Sequence, residues 1–192
     1  MAFYSYASIG EAAALAEPHL SEYLRQSPPK NADARRCALW VLGGLAAHAS
    51  RSIAFPIALS PLGRPYFEGE GAPDFNLSHT EGLAAAILGD GRVGIDVQVE
   101  SEALDVERLA ARFFGKDERA LVRGAPRALF FELWTKKEAL GKCLGVGLSP
   151  LLGRDTEPLA AKHRLTFVTE RIFLGDKVYT LTACAAEPIQ KI

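Results

Sequence analysis

The chain has 192 residues, 48% of them hydrophobic and 23% charged, with a formal net charge of −1. That length suits one domain or two small halves sharing a core. The near-neutral charge provides no global basic field for nucleic acid or anionic lipid, so any anion site must be local.

The opening stretch MAFYSYASIGE has neither the basic start nor the apolar run of a signal peptide, and a cytoplasmic location is expected. Asn31-Ala32-Asp33 opens a helical pattern in which Cys37, Ala38, Val41, Leu42 and Leu45 recur at helical spacing. The most apolar stretch, Ala38 to Ala49, is broken by Gly43, Gly44 and His48 and is too short to span a bilayer. No membrane partner is therefore expected. From Pro56 to Asp74, prolines and glycines predict loop with at most short strands. Phe75–Leu77 and Leu83–Leu88 are predicted strands, Gly89-Asp90-Gly91-Arg92 a turn, and Val93–Val99 the returning strand of a hairpin. Leu104–Phe114 has a helical apolar face. A longer helix is predicted to start near Pro126 and stop before Gly145. Arg164–Ala186 is predicted as a hairpin turning at Gly175-Asp176. Cys37, Cys143 and Cys184 lie far apart without a C-x-x-C pattern and are expected as reduced thiols. Ile87–Val93 resembles Phe173–Val178, and the two Gly-Asp turns lie about half a chain apart. Common turn chemistry explains this echo, and so do two similar α+β halves.

Two stretches carry the chemistry. In Val93-Gly94-Ile95-Asp96-Val97-Gln98-Val99-Glu100 the apolar residues alternate strictly with Gly94, Asp96, Gln98 and Glu100. A solvated polar face explains the pattern, yet Asp is poorly suited to strand interiors, and Gly94 leaves room beside it for close approach. A carboxylate and an amide oxygen on one strand face are reasonable ligands for a hard cation such as Mg²⁺. The second stretch is Trp134-Thr135-Lys136-Lys137-Glu138-Ala139-Leu140-Gly141-Lys142. On a helical projection Leu129, Leu133, Leu140 and Leu144 form a core arc. Glu132, Thr135, Lys136, Ala139 and Cys143 fall on the opposite, solvent side. Lys137 projects beside the leucine arc, and Glu138 and Lys142 share a third sector with Phe131 and Trp134. A Glu138–Lys142 ion pair with a snorkelling Lys137 accounts for the charges. A metal with a phosphate-bearing ligand accounts for them too, and explains why they adjoin apolar surface.

Together these motifs resemble the 4′-phosphopantetheinyl transferase superfamily of the surfactin-synthetase-activating type. The resemblance rests on Gly63-Arg64-Pro65-Tyr66, then Pro73-Asp74-Phe75-Asn76-Leu77-Ser78-His79-Thr80, then Gly94-Ile95-Asp96-Val97, then Trp134-Thr135-Lys136-Lys137-Glu138-Ala139 with Lys142 beyond. Arg112-Phe113-Phe114, Cys184–Pro188 and, more loosely, Asp33–Arg36 extend it to roughly Asp33–Pro188. It implies an α+β fold of two similar halves, 1–100 and 101–192, related by a pseudo-twofold axis with the active site in the cleft between them. It implies transfer of the 4′-phosphopantetheine group of coenzyme A to a serine of an apo acyl or peptidyl carrier protein, releasing 3′,5′-ADP. Asp96 and Glu138 resemble the family's metal ligands for Mg²⁺ or Mn²⁺, with Gln98 beside them. Gly63, Arg64, Pro65, Ser78 and His79 match positions holding the 3′-phospho-adenosine end of coenzyme A. Lys137 and Lys142 match lysines at its pyrophosphate, and Arg36 adds a possible phosphate contact. Glu138, Asp96 and Lys142 form the implied catalytic set. Many members carry Gly-Ile-Asp-Val-Glu, and here Gln98 replaces the second acid. Weaker Mg²⁺ binding is expected, with Glu100 too far along the strand to substitute directly. The alternative is a non-catalytic homologue that binds coenzyme A or a carrier protein. A water-using phosphohydrolase lacks support from any phosphate loop. A monomer is expected, since both halves lie in one chain. The surface of Arg108, Arg112, Lys116 and Arg119 is either a solvated face or a dock for an acidic carrier.

Overall fold

A computed structural model of the chain describes residues 1–9, 32–49 and 55–192, apart from the side chains of residues 32, 33, 35 and 36. Strand β1 (Ala2–Ser8) is followed by helix α1 (Ala32–His48), the short β2 (Ile57–Leu59) and β3 (Pro65–Phe67), then β4 (Asp74–Thr80) and β5 (Leu83–Gly89). β5 is buried along its whole length, so it needs strands at both edges and cover on both faces. It pairs antiparallel with β4 and β1, and β9 (Ile189–Lys191) runs parallel beyond β1, giving the order β4-β5-β1-β9. Ala86 and Leu88 of β5 meet Leu39, Leu42 and Leu45 of α1, while Leu83, Ala85 and Ile87 point the other way.

The second sheet has the order β6-β8-β7, built from β6 (Val93–Val99), β7 (Thr166–Leu174) and β8 (Lys177–Ala185). Val93, Ile95 and Val97 join Tyr179, Leu181, Ala183 and Ala185 against the inner face of the first sheet. The outer face is covered by α4 (Arg127–Leu144), which is preceded by α2 (Val106–Phe113) and α3 (Lys116–Val122) and followed by α5 (Thr156–Lys162). The layers therefore run helix, sheet, sheet, helix, a mixed α+β architecture. Pro126 precedes α4, and Gly145 ends it in the left-handed conformation at φ 69° that glycine adopts without strain. The expected bounds of this helix hold. No helix among the described residues is long and apolar enough to cross a membrane.

The structure corrects two local readings. β6 does not return along β5, because β1 and β4 occupy both of that strand's edges. Asp90-Gly91-Arg92 instead carries the chain from the first sheet to the second, where β6 pairs with β8. The hairpin here is β4–β5, and only Gly175-Asp176 joins hairpin-paired strands, so the two similar Gly-Asp turns do different jobs. A cut at residue 100 would also separate β6 from its own sheet, and β9 from the C-terminal half pairs with β1. The second correction concerns α4. Thr135, Ala139 and Cys143 are buried rather than solvent-facing, because the helix lays its small residues on β6 and β8. Only Glu132 and Lys136 of that arc remain a surface pair, 2.9 Å apart.

Candidate active site

β6 lies at the edge of its sheet, and the N–H groups facing away from β8 need acceptors. The alternate side chains of β4 supply them. The N–H groups of Val93, Ile95, Val97 and Val99 donate to Asp74 Oδ2, Asn76 Oδ1, Ser78 Oγ and Thr80 Oγ1, at 3.0, 3.1, 3.2 and 3.3 Å. The two sheets are thus tied by side chains in fixed register. This tie delivers Ser78 to Asp96, whose Oδ1 accepts its hydroxyl at 3.0 Å.

Asp96, only 7% exposed, faces α4 on the outer side of β6. Gly94, two residues earlier on that face, makes the approach possible. A Cβ built there would lie 2.2 Å from Ala139 O and 2.6 Å from Cys143 N. The open space beside Gly94 is therefore filled by the helix backbone. Lys142 reaches across the junction and donates to Asp96 Oδ1 at 2.7 Å, Ile95 O at 2.9 Å and Ser78 Oγ at 3.0 Å. All three of its protons are used. The Glu138–Lys142 surface pair is not formed; the lysine answers the strand acid instead.

Glu138 is half-buried, and among the described residues no hydrogen bond or ion pair reaches its carboxylate. Burial pushes its pKa up, the charge of Asp96 adds to the rise, and Lys142 opposes it. Asp96 and Glu138, from separate elements, are thus near enough for their charges to interact, and Lys142 acts on both. Gln98 lies half-buried on the same strand face. Glu100 is engaged elsewhere, accepting from Arg171 at 2.8 and 2.7 Å and from Thr180 at 2.7 Å. Burial works against the Glu100 carboxylate, but these bonds prevail and hold its pKa below the ordinary value. Among the described residues no group of three or more His, Cys, Asp or Glu side chains is placed to hold a metal. The donor set of Asp96, Glu138 and Gln98 suits Mg²⁺, which takes one or two carboxylates and completes its octahedron with phosphate and water.

The other expected residues are distributed more widely. Gly63 sits at φ 78° in the turn before β3, and Pro65 starts that strand. Arg64 turns inward, and its Nη2 bonds both Asp74 oxygens at 2.8 Å, Phe75 O at 3.0 Å and Val93 O at 3.2 Å. Its guanidinium clamps the start of the β4–β6 tie. His79 alternates with Ser78, which puts it with Phe75 and Leu77 on the α1 side of the sheet. Arg36 falls in α1, with its side chain outside the described residues. Lys137 does not join the acids: it is 0% exposed, pairs with Glu118 Oε2 at 3.0 Å and donates to Arg154 O. The geometry gives it a protein partner where a ligand phosphate was expected.

The sequence model of the 4′-phosphopantetheinyl transferase superfamily matches residues 92–180. The chain is 40% identical over 82 residues to the 4′-phosphopantetheinyl transferase HetI of Nostoc sp. strain PCC 7120, covering 40% of this chain and 35% of that protein. It is 32% identical over 142 residues to the 4′-phosphopantetheinyl transferase psf-1 of Bacillus pumilus, covering 63% of this chain and 60% of that protein. The chain thus spans less than two thirds of the length of these two relatives. A third, the 4′-phosphopantetheinyl transferase AcpT of Escherichia coli O157:H7, is 29% identical over 96% of this chain and 97% of its own length. Residues 92–180 of the chain are thus similar to the 4′-phosphopantetheinyl transferase superfamily.

The superfamily match contains both acids, Gln98, Lys137 and Lys142, and stops short of Gly63–Pro65 and Ser78–His79. Ser78 enters the site through the β4–β6 tie instead. Asp74, Asn76 and Thr80 stand in the motif quoted from the sequence but were given no role there, and Glu118 was not noted at all. The first three carry a readable signal, since Asp74, Asn76, Ser78 and Thr80 are polar at every second position, with apolar Phe75 and Leu77 between. Such a stripe fits a strand whose side chains serve a neighbouring edge. Glu118 carries no comparable signal, because its partner lies on another helix.

Proposed function

We propose that this protein transfers the 4′-phosphopantetheine group of coenzyme A to a serine hydroxyl of an apo carrier protein. The observation that carries this reading is the meeting of Asp96 from β6 and Glu138 from α4 around Lys142, within the segment matched by the superfamily. The three relatives named above are all called 4′-phosphopantetheinyl transferases, which supports the same activity here. Asp96 and Glu138, with Gln98 beside them, would hold Mg²⁺ or Mn²⁺, which when bound neutralises charge on the pyrophosphate.

In the proposed reaction the carrier serine Oγ attacks the phosphorus that bears the pantetheine arm. The bond from that phosphorus to the bridging oxygen of 3′,5′-ADP breaks, and the serine proton passes to Glu138, directly or through a water relay, with Asp96 as the alternative acceptor. Burial and the charge of Asp96 raise the pKa of Glu138 and so its affinity for a proton, while Asp96 Oδ1 is already bonded to Ser78 and Lys142. Lys142 lies beside both acids and can shift toward the pyrophosphate to stabilise charge as the leaving group departs. The chain needs no nucleophile of its own. Arg108, Arg112, Lys116 and Arg119 are exposed on α2 and α3 as the dock for an acidic carrier requires, and of these Arg119 also lines a groove of about 350 Å³ between the two helices.

The test is direct. Incubation with coenzyme A, Mg²⁺ and apo carrier protein is followed by mass spectrometry of the carrier. Gain of the phosphopantetheine mass supports transfer. An unmodified carrier with intact coenzyme A supports a binding homologue, and degraded coenzyme A alone supports hydrolysis.

A further inference from the structure

Lys137 and Glu118 are 0% and 5% exposed, and neither belongs to the acid pair described above. A buried lysine is costly unless both its charge and its protons are answered. Here they are. Lys137 Nζ lies 3.0 Å from Glu118 Oε2, donates to Arg154 O, and sits 5.8 Å from the centroid of the Phe114 ring. Glu118 is answered in turn, with Oε2 accepting from Gly115 N at 3.2 Å and Oε1 from Thr156 N at 2.7 Å. One carboxylate thus joins the start of α3, the start of α5 and the middle of α4.

A helix lying on a sheet can slide and roll unless something directional fixes it. Apolar contacts are not directional. On the sheet side α4 is held by Thr135 Oγ1, 2.8 Å from Thr182 Oγ1 on β8, and by the Ala139–Gly94 contact. Lys137 supplies a directional anchor to the neighbouring helices, and it immediately precedes Glu138 in the chain. We propose that the buried Lys137–Glu118 pair is a positioning device that sets the rotation of α4 and so aims Glu138 and Lys142 at Asp96. The consequence for catalysis rests on the transferase reading; the geometric part does not.

The experiment compares wild type, Lys137→Met, Glu118→Gln and the double variant in transfer kinetics, coenzyme A binding, thermal stability and crystal structure. Met replaces the lysine stem, and Gln keeps one oxygen that accepts from Thr156 N or Gly115 N but not both, so the double variant leaves no unpaired buried charge and one buried N–H without its acceptor. Expected is a kcat about a hundredfold lower in all three variants, the size of effect that a misplacement of about 1 Å produces. The coenzyme A dissociation constant should change alike in Lys137→Met and Glu118→Gln, since both act through the same misplacement of α4. The double variant should recover part of the stability lost by the singles, the part due to an unpaired buried charge, without recovering kcat. Its crystal structure should show the Lys142–Asp96 contact, 2.7 Å in the wild type, broken. Weaker coenzyme A binding in Lys137→Met but not in Glu118→Gln would make Lys137 a ligand contact and overturn the proposal. So would an unmoved Lys142–Asp96 contact in the double variant, whether or not the wild type transfers anything. A wild type without transfer activity refutes the transferase reading alone.

Discussion

The close seating of α4 on β6 gives the sharpest prediction. Replacing Gly94 with alanine places a methyl group 2.2 Å from Ala139 O, 2.6 Å from Cys143 N and 2.9 Å from Cys143 Cβ. These are backbone atoms and a side-chain root, not the far end of a flexible chain, so no rotamer change relieves them. Ordinary contact begins near 3.4 Å, so the helix must retreat by about 1 Å. Overpacking of this kind costs about 1–3 kcal/mol of stability. The same shift lengthens the Lys142–Asp96 contact and carries Glu138 away from Asp96, and a displacement of that size lowers turnover by about a hundredfold. The assay is chemical denaturation of Gly94→Ala alongside carrier modification followed by mass spectrometry. A variant with wild-type stability and turnover would refute the seating described here.

Glu138→Gln should nearly abolish carrier modification while making the folded protein more stable at neutral pH. The folded pKa of Glu138 is raised by burial and by Asp96, so its ionisation opposes folding. The penalty is absent below the unfolded value of about 4.3 and grows as pH rises through the folded value, so the stability gain of the variant should vanish in acid. Denaturation curves at several pH values check this, and a gain that persists in acid counts against it. Ser78→Ala leaves the Val97 N–H and one Lys142 proton without an acceptor, an expected loss of about 1–3 kcal/mol read by thermal melting. Gln98→Glu should lower the Mg²⁺ concentration needed for half-maximal transfer, and an unchanged metal titration would remove Gln98 from the ligand set.

What the sequence shows and hides follows from the range of each signal. The bounds of α4 were legible because Pro126 and Gly145 act locally on the backbone. The closeness implied by Gly94 was legible too, although only the structure shows that a helix fills the space. The partner of β6 was not legible. A short Gly-Asp turn between two apolar strands reads as a hairpin, and nothing nearby in the sequence says that β1 and β4 already occupy the edges of β5. The faces of α4 were misjudged for a related reason. Helical projection assumes one core side, whereas this helix is buried against β6 and β8 through Thr135, Ala139 and Cys143 and against neighbouring helices through Phe130, Phe131 and Lys137. A lysine buried by a distant glutamate is invisible to any local pattern.

The division of labour between the two acids follows from how each is held. Asp96 sits in a strand, where its residue type is disfavoured, and the surrounding structure answers it with Lys142 and Ser78, both on Oδ1. Ser78 also accepts from the Val97 N–H, so the clamp on Asp96 is part of the tie between sheets and cannot loosen without disturbing both. Glu138 is treated in the opposite way. It is desolvated beside a like charge, and among the described residues it is given no hydrogen bond, which raises its affinity for a proton or a cation. One acid is fixed and the other is left responsive. The proposed transfer, which must take a proton from an incoming hydroxyl while holding a pyrophosphate in place, calls for that asymmetry, and the seating of α4 over Gly94 fixes how α4 lies against the strand that carries Asp96.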